Sequence, residues 1–192
     1  VLIPRQDTET LVELVLSEHK EKNISLLDVC TGSGCIAISL AKLGGYTDVT
    51  ALDLSEEALK VARSNGEKLL DQPVKFIKSD MFSALNPEKQ YNVIVSNPPY
   101  IPSQVIEGLE PEVKDHEPRM ALDGEPDGLK FYRILAEEGK KYLKNGGSIY
   151  MEIGWDQAKD VTEIFEAMGF SGRRTVRDMA GNDRVVCARK EK

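Results

Sequence analysis

The sequence predicts an α/β protein with a mostly parallel, seven-stranded sheet, helices on both faces and a C-terminal antiparallel hairpin. Three observations carry that prediction. Short apolar runs alternate with segments of helical periodicity. Most of the runs are apolar at every position, as strands buried on both faces must be. A glycine-rich turn follows the first run, where an open α/β sheet receives its ligands.

The elements follow in order. Asp7 to His19 carries Leu11, Leu14 and Val15 at helical spacing, with Asp7 or Thr8 placed to cap the amino end. Ile24 to Cys30 reads as a buried strand, Gly34 to Leu43 as a helix and Val49 to Leu54 as a second strand. Ser55-Glu56-Glu57 opens another helix, its acids at the positive end of the dipole. Val74 to Ile77 and Tyr91 to Ser96 are the third and fourth strands. From Asn97 to about Asp127 runs a connection rich in Pro, Glu and Asp, far longer than an ordinary α/β loop and therefore a candidate for function. Leu129 to Leu143 is helical and is stopped by Asn145-Gly146-Gly147; Ser148 to Ile153 is the fifth strand. Gln157 to Met168 is a helix ended by Gly169, and the last two strands lie around Thr175 and over Arg184 to Ala188.

At 192 residues and 41% apolar content, the chain suits one domain, residues 1–192. It has no apolar run of membrane-spanning length and no charged signal segment, so a cytoplasmic protein is expected. Val1 is not an initiator methionine, and the chain is expected to begin inside a longer gene product. Cys30, Cys35 and Cys187 are odd in number and form no C-x-x-C pair, which argues against disulfides and zinc. No cluster has metal-ligand spacing, and no metal is expected. The net charge of -7 has the wrong sign for gripping a nucleic-acid backbone. Arg173, Arg174 and Arg177 read as a solvated edge, and His19 and His116 as structural or solvated.

The chemistry concentrates at strand ends. Asp28-Val29-Cys30-Thr31-Gly32-Ser33-Gly34 joins the first strand to its helix, where glycines admit a close ligand and the helix N-terminus favours an electron-rich group. Roughly twenty residues past Gly32, Asp53 ends the second strand, where an acid accepts ribose hydroxyls. A nucleoside-bearing ligand is predicted, and a nicotinamide dinucleotide stays open because Gly32-x-Gly34-x-x-Ala37 fits that fingerprint too. Asp28, placed to pair with a cationic amino group, and Asp80, placed to accept from an adenine amino group, shift the balance toward S-adenosylmethionine.

After the fourth strand comes Asn97-Pro98-Pro99-Tyr100. Two prolines force the backbone out of the sheet along an extended path, holding an amide, a carbonyl without ladder partners and an aromatic face together. Such a site grips a planar amino group. A glutamine amide fits, and so does the exocyclic nitrogen of a flipped base in an amino-group methylase, although net acidity disfavours the latter. A dehydrogenase or a non-catalytic nucleotide sensor leaves this motif unexplained.

These segments, with Ile3-Pro4-Arg5-Gln6-Asp7-Thr8-Glu9, Pro118-Arg119-Met120-Ala121-Leu122-Asp123-Gly124, Asp127-Gly128-Leu129 and Ala180-Gly181-Asn182-Asp183-Arg184, resemble the HemK/PrmC-type methyltransferases. The resemblance covers essentially the whole chain. It implies a class I S-adenosylmethionine-dependent fold and N5-methylation of the glutamine in the GGQ motif of class 1 peptide chain release factors. It further implies a cofactor site of Asp28, Cys30, Thr31, Gly32, Ser33, Gly34, Asp53, Asp80, Met81 and Asn97. The glutamine would lie against Asn97, Pro98, Pro99 and Tyr100, with Asn97, Pro98 and Tyr100 catalytic. The expected partner is the release factor, without membrane or direct nucleic-acid contact, and the expected state is a monomer. Arg5, Asp7 and Glu9 are candidates to cover the site, and the acidic loop 107–117 to meet a basic partner. Gln6 stands where the family usually has Pro, and Cys30 where many methyltransferases carry a first glycine. The family's helical amino-terminal docking domain has no counterpart in this sequence.

Overall fold

The computed structural model describes residues 3, 5–114 and 116–191. Val1, Leu2 and Pro4 of the opening segment and Asp115 of the acidic loop lie outside the described residues. A 3-10 turn over Gln6–Thr8 leads into α1 (Glu9–Glu18), followed by β1 (Ser25–Val29), α2 (Cys35–Gly44), β2 (Asp48–Asp53), α3 (Glu56–Leu69), β3 (Lys75–Lys78) and β4 (Tyr91–Ser96). The long connection contains α4 (Ser103–Ile106), α5 (Pro111–Lys114) and α6 (Arg119–Leu122). Then come α7 (Lys130–Glu137), α8 (Gly139–Tyr142), β5 (Leu143–Glu152), α9 (Ala158–Ala167), β6 (Phe170–Arg177) and β7 (Asp183–Lys190).

The seven strands lie in the order β3-β2-β1-β4-β5-β7-β6. β1 to β5 are parallel, and β7 runs antiparallel between β5 and β6. The chain therefore reverses its direction of travel across the sheet between β1 and β4, and a crevice opens at their carboxyl ends. Alternation along the strands divides the core. Leu26, Val93, Val95 and Tyr150 pack against α1 and α2 on one face, while Leu27, Ile94, Ile149 and Met151 pack against α7 and α9 on the other.

Ser55 caps α3 as its sequence requires, its side chain accepting from the Ala58 N–H. α1 has no such cap, and Asp7 and Thr8 are used elsewhere: Asp7 pairs with Arg184, and the Thr8 hydroxyl donates to Glu152. Asn145-Gly146-Gly147 does not stop a helix. The helical segment breaks at Glu138 and ends at Tyr142, and these residues lie inside β5, with Gly146 at φ +78°. The pairing with β4 jumps there, from Tyr91 opposite Leu143 to Val93 opposite Ser148, so the extra residues bulge out of the ladder.

The connection after β4 is folded. The Ile101 N–H donates to the Leu122 carbonyl at 3.0 Å and the Gly124 N–H to the Ile101 carbonyl at 2.9 Å, forming a short parallel bridge that returns the chain to the end of β4. Part of its acidity is neutralised internally: Glu117 pairs with Arg5 and Glu107 with Arg119. Arg173, Arg174 and Arg177 pair with Glu166, Glu18 and Asp183. His19 bonds the Tyr150 hydroxyl at 2.9 Å. No helix among the described residues is long and apolar enough to cross a membrane.

Candidate active site

A cavity of about 420 Å³ lies at the carboxyl ends of the parallel strands, within the range of small-molecule sites. One wall is the loop after β1. Cys30 and Gly32 both have left-handed backbone, at φ +62° and +57°, so the chain turns sharply and presents Cys30, Thr31, Gly32 and Ser33 to the cavity. Beside Gly32, apart from its own chain neighbours, no protein atom lies within 4 Å of where a Cβ would stand, which leaves room for a ligand against the backbone. Asp53 holds this loop: one carboxylate oxygen accepts the Gly32 N–H and the other the Ser55 N–H, each at 2.8 Å. A carboxylate offers about four acceptor positions, so Asp53 retains capacity toward the cavity it lines. Asp80 and Met81 complete this wall after β3.

Two expected cofactor residues stand elsewhere. Gly34 does not line the cavity; it caps the amino end of α2 at φ +81°, and a Cβ there would come within 3.0 Å of Ile38 and 3.1 Å of Ala62. Its absent side chain serves packing behind the loop. Asp28 is fully buried behind the same loop instead of on the wall. Its Oδ2 accepts from the Thr31 hydroxyl at 2.6 Å and the Ala37 N–H at 3.2 Å, while Oδ1 is buried without a hydrogen-bond partner. Burial raises its pKa to about 7 against those two hydrogen bonds. An orphaned acceptor beside a strained glycine loop fits a ligand that brings a cationic or donor group.

Asn97-Pro98-Pro99-Tyr100, which follows β4 beside the end of β1, lines another part of the cavity. No hydrogen bond among the described residues engages the Asn97 side chain. Ser96 anchors the strand end, its hydroxyl donating to the Val29 carbonyl at 2.7 Å. Burial pushes the Tyr100 hydroxyl up to about 12, so it remains protonated. The Gln157 amide braces this wall, donating to the Tyr100 carbonyl at 3.0 Å and the Gly128 carbonyl at 3.3 Å while accepting the Gly154 N–H at 3.0 Å.

Sequence reasoning missed Glu152, Gln157 and Thr8. Glu152 ends β5 at 2% exposure, lines the cavity and accepts from the Thr8 hydroxyl at 2.6 Å. Burial raises its pKa against the Thr8 hydrogen bond and the Arg184 charge. The visible signal was a lone acid in the apolar run Tyr150 to Ile153. Of the opening residues, Arg5 reaches the cavity, whereas Asp7 binds Arg184 and Glu9 is exposed at the start of α1. Burial drives the Cys30 thiol far up and the Cys35 thiol to about 11, so neither is a nucleophile near neutrality. Among the described residues, no group of three His, Cys, Asp or Glu side chains could hold a metal ion.

A family model described as "Methyltransferase small domain" matches residues 6–108. A release factor glutamine methyltransferase of Thermodesulfovibrio yellowstonii is 44% identical over 195 aligned positions, covering 100% of this chain and 70% of the relative. One from Fusobacterium nucleatum is 44% identical, covering 99% of this chain and 54% of the relative. The crystal structure of a release-factor-specific protein-(glutamine-N5) methyltransferase from Alicyclobacillus acidocaldarius is 31% identical, with a TM-score of 0.59, covering 99% of this chain and 95% of that one.

Proposed function

The chain belongs to the release factor glutamine methyltransferase family, and from that premise we propose that it moves a methyl group from S-adenosylmethionine to the side-chain amide nitrogen of a glutamine in a peptide chain release factor. The acceptor is the GGQ glutamine of class 1 release factors, and the enzyme serves translation termination in the cytoplasm as a monomer. The net charge of -7 supports a protein substrate over a nucleic acid.

When bound, S-adenosylmethionine supplies an electrophilic sulfonium methyl. Cys30 to Ser33 would hold it along the loop, with Asp53 available to its ribose hydroxyls, Asp80 and Met81 to its adenine side, and the unpartnered Asp28 Oδ1 to its cationic amino group. The acceptor nitrogen is the harder problem, because its lone pair is delocalised into the carbonyl. Asn97 Oδ1 and the Pro98 carbonyl accept its two N–H groups and orient it toward the cofactor wall, while Tyr100 packs against the amide plane. The observation that carries this reading is the uncommitted Asn97 amide lining the same cavity as the glycine loop.

The test incubates the protein with methyl-labelled S-adenosylmethionine and, separately, a release factor and duplex DNA. Label on the release factor glutamine is expected. Label on DNA, and none on any glutamine, would overturn the reading.

A further inference from the structure

We infer that the Glu152 carboxylate is the proton acceptor of the reaction, taking the hydrogen that the amide nitrogen must lose when it gains a methyl group. The inference rests on the proposed function and adds a catalytic residue to it.

The observations are geometric. β4 and β5 are parallel, with Ser96 opposite Met151, so Asn97 and Glu152 are the next positions along two adjacent strands, roughly 4.8 Å apart. Both continue the alternation of the α1–α2 face, Asn97 after Val93 and Val95, and Glu152 after Tyr150. Both line the same cavity. The one hydrogen bond the Glu152 carboxylate accepts among the described residues uses Oε2, and Oε1 is not among the buried oxygens without a partner. Oε1 therefore keeps access to the cavity.

The chemistry requires such a group. As the nitrogen–methyl bond forms, the methyl–sulfur bond breaks and its electron pair stays on the now neutral sulfur. The nitrogen is left cationic until an N–H bond breaks and its electron pair returns to nitrogen. The oxygens that orient the amide are neutral carbonyls and cannot keep the proton. Tyr100 is already protonated, the Cys30 and Cys35 thiols are pushed up by burial, and Asp53 ends β2 and Asp80 follows β3, two and three strands from β4, whereas Glu152 ends the strand beside it. Glu152 takes the proton as a carboxylic acid and later yields it to water.

Its electrostatic surroundings set the working range. Arg5 and Asp7 act on it from the opening segment, Cys35 from α2, Tyr100 from the wall, Tyr132 from α7 and Arg184 from β7. Burial is the largest effect and favours the protonated form, which makes the carboxylate a stronger base than an exposed one. Activity then falls as pH drops through the Glu152 pKa.

Two variants test this. Glu152→Gln keeps an acceptor for Thr8 and is expected to lower kcat on a release factor about a hundredfold or more, to abolish the acidic limb of the kcat–pH profile, and to leave the calorimetric affinity for S-adenosylmethionine within about threefold. Thr8→Val removes a hydrogen bond that favours the charged carboxylate and is expected to move the acidic limb to higher pH. A Glu152→Gln enzyme within about threefold of wild-type kcat, or one that keeps the limb, overturns the inference and leaves the proposed function standing. Absence of wild-type transfer to any glutamine overturns both.

Discussion

The two walls of the cavity are built differently. The wall after β1 and β2 is held mainly by bonds of shorter span in sequence: Thr31 to Asp28 spans three positions, Ala37 to Asp28 nine, Gly32 to Asp53 twenty-one and Asn65 to Ser33 thirty-two. The wall after β4 and β5 is held across the chain: Gln157 reaches 29 positions back to Gly128 and 57 to Tyr100, and Thr8 meets Glu152 across 144. A cofactor of fixed shape is served by a compact loop that folds as a unit. The acceptor's wall must align an amide against that loop, and it draws on the opening segment, the long connection and the start of α9.

Damage to the second wall should therefore spread while damage to the first stays local. The largest effect is expected at Gly128, whose φ is +73° and whose Cβ would stand 2.4 Å from the Tyr100 carbonyl oxygen and 2.7 Å from Gln157 Nε2. Gly128→Ala combines backbone strain of about 1–3 kcal/mol with displacement of that brace. We expect urea unfolding to show a loss of about 3 kcal/mol or more, and label transfer to be lost. Gln157→Ala comes next. It leaves one buried and one part-buried carbonyl and one N–H without their partner, at about 1–3 kcal/mol for each group that water cannot reach. Its transfer rate should fall while cofactor affinity holds; equal loss of both would break the distinction between the walls.

The smallest effect sharpens the first wall. The folded-state pKa of Asp28 is raised from 3.8 to about 7, so its neutral form is favoured on folding. Its contribution to the stability of the free protein is complete below about pH 4 and is lost as pH rises toward 7. A cationic ligand group favours the ionised form, so cofactor affinity should increase with pH through the same window. Asp28→Asn should flatten both dependences, read by thermal melts and titration calorimetry across pH 5 to 8. An unchanged affinity profile would detach Asp28 from the cofactor.

This asymmetry also governs what the sequence revealed. Ser55 capping α3, the run Tyr91 to Ser96 and the turn at Cys30 to Gly34 are local signals, and each lies where its residues suggested. Gly34 lies off the cavity wall, and a glycine that admits a neighbouring helix looks, in sequence, like one that admits a ligand. The position of Asp28 in the motif does not reveal that Thr31 closes over one of its oxygens and leaves the other without a partner. Asn145-Gly146-Gly147 acted as a bulge once β4 supplied a partner, which local turn chemistry does not encode. Glu152, Gln157 and Thr8 escaped because their roles exist only after distant segments meet, although a solitary acid within Tyr150 to Ile153 was the trace left behind.

The most direct measurement combines calorimetric binding of S-adenosylmethionine with mass-spectrometric location of the transferred methyl group, for wild type and Asn97→Ala, on an intact release factor. Wild type should modify the glutamine side-chain amide. Asn97→Ala should fold normally, transfer about 10²- to 10³-fold more slowly and change cofactor affinity by less than about tenfold. Near-wild-type transfer by the folded variant would contradict the assignment of Asn97 as the residue that holds the amide.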